Sequence, residues 1–363
     1  MAEVLARMYP SADIFSLVVV PETLPEHLRR HSIHTSFLNR VPFASRLYRH
    51  MLPLYPTAVE QLDLSGYDLV LTSDSGPMKG VIVPPSAVHI CYCHAPMRYI
   101  WDQYHSYRNN FSGVSKAIFG ATAHYLRAWD QMAAQRVTYF AANSRYVSSR
   151  IRQYYGRESF VVYPPVDTAS GYLANRQTDA YLAVGRLVAY KRTDLLIQAC
   201  NRLGRRLRIV GTGPEERRLR AMAGPTIEFL GQVDNATLWH EYAHCRAFLF
   251  AAEEDFGMVV VEAQACGRPV VAFGRGGALE SVAGLDQPEP RYQHTGVFFY
   301  EQTPTAVADA VLRFEENEHR FDPRVIREKT SRFSTDVFCR TFRGLVDGLL
   351  PSSALEYELQ AQI

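Results

Sequence analysis

The sequence predicts an α/β protein made of two doubly wound parallel sheets. Three observations lead there. Short apolar runs alternate with amphipathic stretches along the chain, the pattern of strand–helix units that lay helices over a parallel sheet. A chain of 363 residues is long enough for two domains at ~100–200 residues each. The alternation breaks at Tyr163-Pro164-Pro165-Val166-Asp167, where two prolines impose a stiff, extended conformation; the stretch 168–179 after it is small and polar. The expected division is an N-terminal domain over 1–165, a C-terminal domain over 166–335, and a C-terminal helix and tail over 336–363 that return towards the first domain. The two domains are expected to face each other across a cleft.

Taken in order, the apolar runs at 13–20, 68–72, 88–93, 139–142 and 160–163 are the expected strands of the first half. Those at 180–184, 207–210, 227–230, 247–250, 270–273 and 296–299 are the expected strands of the second. Helical patterns fill 193–202, 215–222, 236–243 and 305–315, and 2–9 also reads as helix. No short-period repeat and no low-complexity tract is present.

Composition narrows the function. Residues are 47% hydrophobic and 21% charged, which suits a packed core and excludes a largely disordered chain. A net charge of +2 advertises no polyanion partner, and no nucleic-acid motif is seen. No apolar run approaches the roughly 20 residues of a membrane-spanning helix. The first residues lack the basic, then apolar, pattern of a secretory signal. Six scattered cysteines make no disulfide framework, so a reduced, cytoplasmic setting is expected. One segment departs from the charge balance: 98–157 holds nine Arg/Lys against Asp102 and Asp130, with thirteen aromatics interleaved. It reads either as a solvated helical surface or as a face resting on anionic lipid headgroups at the inner side of the cytoplasmic membrane.

Three segments carry chemistry. In Glu253-Glu254-Asp255-Phe256-Gly257-Met258-Val259-Val260-Val261-Glu262 a strand ends, a polar loop follows, and Gly257 opens a helix. The first-turn amides of Gly257, Met258 and Val259 can bind a phosphate or a sugar hydroxyl, and Glu254 beside them can accept hydroxyl protons. The alternative is that the carboxylates only complement the helix dipole. Glu262 lies too far into the helix for that, and three acids exceed what a cap requires. In Gly185-Arg186-Leu187-Val188-Ala189-Tyr190-Lys191 a glycine at a strand end precedes two cations, a plausible diphosphate clamp of guanidinium fork and ammonium point charge. Alone it is weak, since such cations are usually just solvated. In Gly211-Thr212-Gly213-Pro214-Glu215-Glu216 the loop starts as a dinucleotide fingerprint but Glu216 stands where the third glycine would be. That argues against NAD and for a plain glycine-rich loop near a phosphate.

In order and spacing these segments resemble the retaining glycosyltransferases of family 4, which have the GT-B fold. Phe229-Leu230-Gly231 and Ala265-Cys266-Gly267-Arg268-Pro269-Val270 add to the likeness. Tyr92-Cys93-His94-Ala95-Pro96-Met97-Arg98-Tyr99 and Ala142-Asn143-Ser144-Arg145 look like a bacterial mannosyltransferase branch. The resemblance implies that Arg186 and Lys191 hold the donor diphosphate near Gly185 and Gly211. It also implies that Glu254 binds the sugar, that Glu262 binds the ribose, and that the backbone of Phe256, Gly257, Met258 and Val259 contacts sugar and phosphate. His94 is implied as a catalytic residue with Glu254.

The expected activity is transfer of a hexose, preferably mannose from GDP-mannose, with retention onto a glycan or lipid-linked glycan in surface polysaccharide assembly. No metal and no cofactor are expected, the nucleotide sugar being a substrate. A nucleotide-sugar epimerase of the same fold and a binding-only relative remain as alternatives. For His94 a zinc reading with His89, Cys91 and Cys93 is disfavoured, because alternation on a strand puts His94 on the opposite face. Relatives open with an apolar strand and a glycine-rich turn before the helix that 2–9 resembles. The first strand of the N-terminal sheet is therefore expected to be missing.

Overall fold

The computed structural model describes residues 1–288 and 293–350; residues 351–363 of the expected C-terminal tail lie outside them. The chain forms two compact units, Met1–Tyr163 with Cys339–Ile363, and Pro164–Phe338.

The second unit holds β7 (Tyr181–Val184), β8 (Leu207–Val210), β9 (Ile227–Gly231), β10 (Phe248–Phe250), β11 (Val270–Phe273) and β12 (Gly296–Phe299). They make one parallel sheet in the order β12-β11-β10-β7-β8-β9. Side-chain alternation sorts the strand residues between two cores. Ala183, Ile209, Leu249, Val271 and Val297 pack under the helices Thr193–Leu203 and Pro304–Glu316. Leu182, Val210, Phe248, Phe250, Ala272 and Phe298 pack under Asn235–His244 and Met258–Ala265. Burial on both faces is why these strands read as continuous apolar runs. Each fully buried Phe or Leu contributes about 1.5–3 kcal/mol. The chain winds outward from β7 through β8 to β9, then returns to β10 and winds the other way. The order therefore reverses between β7 and β10, and ligands of such sheets bind outside the strand ends at that reversal.

The first unit departs from the expected single sheet. β1 (Ile14–Ser16) pairs in parallel only with β2 (Ile33–Thr35), while β3 (Leu69–Asp74), β4 (Val88–Cys93), β5 (Tyr139–Ala142) and β6 (Ser159–Val161) form a separate four-stranded parallel sheet. The two pieces meet through side chains. Phe15 stands edge-on to Tyr67 at 5.6 Å and stacks on His34 at 4.7 Å, and the Tyr67 hydroxyl donates to Asp13. Of the strand expected over 13–20, only three residues form ladder. After Ser16 the chain turns away, the Val19 amide going to Asn39 Oδ1 at 2.9 Å and Pro21 opening a 3₁₀ turn.

The helix Gly113–Arg136 runs through the basic, aromatic segment. It buries Phe119, Ala123, Leu126, Trp129 and Ala133 and exposes Val114, Ile118, Tyr125 and Met132 in a stripe along one flank. Part of the surplus of cations over 98–157 is paired. Arg98 and Arg150 both bind Asp102, Arg136 binds Glu60, Arg152 binds Glu158, and Arg157 donates to the carbonyls of Ala134, Val137 and Thr138. No described helix is long and apolar enough to cross a membrane.

Candidate functional site

The second unit gathers the sequence-predicted donor residues at the reversal between β7 and β10. Gly185 follows β7, and the crevice there is lined by Gly185, Arg186, Lys191, Thr193, Phe250 and Ala252. Lys191 ends a 3₁₀ turn before the helix Thr193–Leu203. Its ammonium forms an ion pair with the Glu254 carboxylate, both side chains being mostly buried. Arg186 is exposed, and among the described residues its guanidinium has no hydrogen-bond or ionic partner. One cation is therefore engaged and the other is open to solvent.

Gly211, at the end of β8, serves first to let two loops touch. Its φ is +126°, and a Cβ there would lie 2.0 Å from the Gly185 carbonyl oxygen. No side chain can occupy that contact. Its amide donates to Gly231 O at 2.7 Å and the Gly185 amide to Val210 O at 3.0 Å, so the ends of β7, β8 and β9 are held together.

Glu254 is braced from the loop after β11, which sequence reasoning missed. The Gly277 amide donates to the Glu254 carbonyl at 2.8 Å. A Cβ at Gly276 would lie 2.4 Å from that oxygen, and one at Gly277 2.3 Å from Phe256 Cα. The signal was the run Gly274-Arg275-Gly276-Gly277 directly after an apolar strand. Phe256 is buried and meets Phe333 edge-on at 5.3 Å. Gly257 caps the helix Met258–Ala265 with φ +85°, leaving the amides of Met258 and Val259 without acceptors inside the helix. Glu262, one turn further on, accepts from the Tyr242 hydroxyl at 2.9 Å. Burial pushes its carboxyl up, which Tyr242 opposes and Asp167 reinforces.

His94 lies in the first unit, directly after β4. Its Nε2 is 2.9 Å from Ser73 Oγ, its ring meets Tyr92 edge-on at 5.2 Å, and its carbonyl accepts from Asn143 Nδ2 at 3.0 Å. Burial, helped by the charged amino terminus, pushes His94 down to about 4, so the ring is neutral near pH 7. Asn143 in turn is held by Ser144, whose hydroxyl donates to Asn143 Oδ1 and caps the helix Arg145–Tyr155. The motif 142–145 is thus a clamp on the His94 backbone.

His89 is directed elsewhere, to Thr72 Oγ1 at 3.0 Å. Burial raises the Cys91 and Cys93 thiols. Among the described residues no group of three or more His, Cys, Asp or Glu side chains is placed to hold a metal ion.

A buried charge cluster under β3 was also missed. Lys79, fully buried, reaches Asp74 Oδ2 at 3.2 Å, Asp130 Oδ1 at 2.5 Å and the Gly76 carbonyl at 2.8 Å. Burial disfavours its charge, but Asp130 and Asp74 outweigh that and keep it an ammonium. Asp130 also accepts from Trp101 Nε1 and the Tyr155 hydroxyl, each at 2.8 Å. Asp74 ties down its own loop by accepting from the Gly76 and Met78 amides.

Comparison with known proteins bears on the family and the fold. The family model described as Glycosyltransferase Family 4 matches residues 1–170, and that described as Glycosyl transferases group 1 matches residues 178–317. A sulfoquinovosyl transferase of Arabidopsis thaliana is 30% identical over 158 residues, 43% of this chain and 29% of that protein. A GDP-mannose-dependent monoacylated alpha-(1-6)-phosphatidylinositol monomannoside mannosyltransferase of Corynebacterium glutamicum is 36% identical over 27% of this chain and 30% of that protein. The chain spans about a third of the length of these curated relatives. Among solved structures, a sucrose-phosphate synthase of Thermosynechococcus elongatus superposes with a TM-score of 0.71 at 18% identity, over 96% of this chain and 91% of that one. The chain belongs to the family 4 glycosyltransferases and has their GT-B fold of two Rossmann-like domains.

Proposed function

We propose that the protein transfers a hexose from a nucleotide sugar, with retention, onto a glycan or lipid-linked glycan acceptor. The observation that carries this reading is the meeting of Arg186, Lys191 and, through its ion pair with Lys191, Glu254 at the crevice where the sheet order reverses, with the helix Met258–Ala265 opening just after the Glu254 loop. Arg186 and Lys191 neutralise the charge that develops on the departing diphosphate, and the helix N-terminus adds positive potential there. Glu254 accepts bonds from the sugar hydroxyls, and Glu262, held by Tyr242, takes the ribose. His94 contacts the sugar as it is transferred. Substitution occurs on the front face, and a donor phosphate oxygen receives the acceptor proton. No metal or cofactor is called for, and activity should survive a chelator.

Mannose from GDP-mannose is the preferred donor. The name of the Corynebacterium relative and the Glu-Glu-Asp-Phe-Gly form of the 253–257 loop support that choice. Peripheral contact with an anionic membrane is proposed through 98–157. Four of the nine cations of that segment pair with carboxylates, and the exposed stripe Val114, Ile118, Tyr125 and Met132 adds apolar contact to the remaining charge.

The test is to incubate the chain with GDP-mannose, UDP-glucose and UDP-N-acetylglucosamine, with and without a polyprenyl-diphosphate-linked sugar. Released nucleoside diphosphate and the anomeric proton coupling of the product are measured. Acceptor-dependent release with a retained anomer is expected. An epimerised nucleotide sugar, or no release from any donor, contradicts the proposal.

A further inference from the structure

We propose that Ser73 is a positioning residue for His94: its hydroxyl donates to Nε2 and fixes the ring in the tautomer whose free edge is Nδ1–H. The inference rests on the reading above that His94 takes part in sugar transfer.

β3 and β4 run in parallel with Ser73 opposite Tyr92 and Asp74 opposite Cys93, and the His94 amide donates to the Asp74 carbonyl at 2.7 Å. The ladder therefore continues to the residue that carries the imidazole. Ser73 Oγ then stands 2.9 Å from Nε2, within the range of a good hydrogen bond. Tyr92 closes one side of the ring and Asn143 fixes its carbonyl. Ser73 itself cannot drift. Its neighbour Asp74 is fully buried on Lys79 and caps the loop that leaves the strand.

Hydrogen-bond accounting assigns the direction. A serine hydroxyl has one proton to place, and a neutral imidazole has one donor and one acceptor nitrogen. If Nε2–H donated to Ser73, the serine proton would need another acceptor, and among the described residues Ser73 Oγ has no other side-chain or backbone partner. With the serine proton on Nε2, the hydroxyl and the Nε2 lone pair satisfy each other and the ring proton is on Nδ1, which among the described residues has no partner and is left for a ligand. Burial holds the ring neutral, so Nδ1–H is a hydrogen-bond donor with no lone pair to take up a proton. His94 then serves the transfer by donating to an oxygen of the sugar or of the leaving phosphate. It does not remove the acceptor's proton.

The experiment labels the histidines of the full chain with ¹⁵N and records long-range proton–nitrogen spectra near pH 7 for wild type, Ser73→Ala and Ser73→Thr, with His94→Gln to assign the signal. Expected are an Nδ1–H pattern for His94 in wild type and Ser73→Thr, and a shift towards Nε2–H in Ser73→Ala. Turnover of GDP-mannose with the lipid-linked acceptor should fall about tenfold in Ser73→Ala, the scale of one lost hydrogen bond to a reacting group. It should be largely restored in Ser73→Thr, with GDP affinity unchanged in both. An Nε2–H pattern in wild type, or an unchanged tautomer in Ser73→Ala, overturns the proposal. So does wild-type turnover in a Ser73→Ala protein whose tautomer has shifted. Absence of transfer by wild type would instead refute the functional reading, and the spectra would still decide the tautomer.

Discussion

The ammonium of Lys191 is paired with the carboxylate of Glu254, so the residue assigned to the diphosphate and the residue assigned to the sugar neutralise each other until the donor arrives. On the proposed assignments, a diphosphate that took Lys191 would release Glu254 to the sugar hydroxyls and so couple the two halves of donor recognition. Breaking the pair costs less than its Coulomb energy suggests, because each partner exchanges one charged contact for another.

Glu254→Gln follows directly from that pairing. Lys191 loses its competitor, so GDP should bind as tightly as to wild type or more tightly, while turnover falls about tenfold or more for loss of a charge-assisted bond to the sugar. Calorimetric titration with GDP and initial rates on GDP-mannose check the split. Weakened GDP binding with unchanged turnover would reverse the two assignments.

Lys79→Met should destabilise the first unit by about 3–5 kcal/mol, because it strands the carboxylates of Asp74 and Asp130 in a buried place. Urea unfolding of the full chain, followed by tryptophan fluorescence, measures it. A loss below about 1 kcal/mol would mean that water reaches the cluster.

Gly211→Ala tests the contact between the loops after β7 and β8. The added methyl would meet the Gly185 carbonyl at a φ of +126°, so a loss of about 2–3 kcal/mol and weaker GDP binding are expected. Unaltered unfolding and binding would show that the loops part freely.

Acid should weaken the first unit through two histidines. His89, pushed down by burial and then by Arg136, and His94, pushed down by burial and then by the amino terminus, both titrate at about 4 in place of the ordinary 6.5. Between those values the unfolded chain binds more protons than the folded one, so stability rises with pH. The contribution is complete above 6.5 and is lost as pH falls towards 4. It amounts to at most about 3 kcal/mol for each histidine. Urea unfolding at pH 7 and pH 4.5 should show most of this loss, and about half of it in His89→Asn. Equal stability at the two pH values would contradict the burial of both rings.

The second unit was legible because its physics is local. Runs such as Val270–Phe273 are apolar since both faces of each strand are covered, and Gly185 after β7 and Gly257 before the helix Met258–Ala265 flag the loops that carry Lys191 and Glu254. What stayed hidden depends on contacts distant in sequence. Lys79 and Asp130 come together only when the helix Gly113–Arg136 crosses the loop after β3, and Gly276 braces Glu254 from another loop. β2 is three residues with two exposed, too short for a period to show. The basic surplus of 98–157 does not reveal which cations are paired: Arg136 finds its carboxylate at Glu60, outside the segment.

Donor recognition at the end of β7 is the central claim. Titration of GDP into the full chain by calorimetry, beside Lys191→Ala, is the decisive measurement. One saturable site is expected, weakened about tenfold or more in the variant for loss of a cation on the diphosphate, with the melting temperature of the unliganded variant close to that of wild type. Binding of equal strength in both proteins, or none in wild type at millimolar GDP, UDP or ADP, would contradict it.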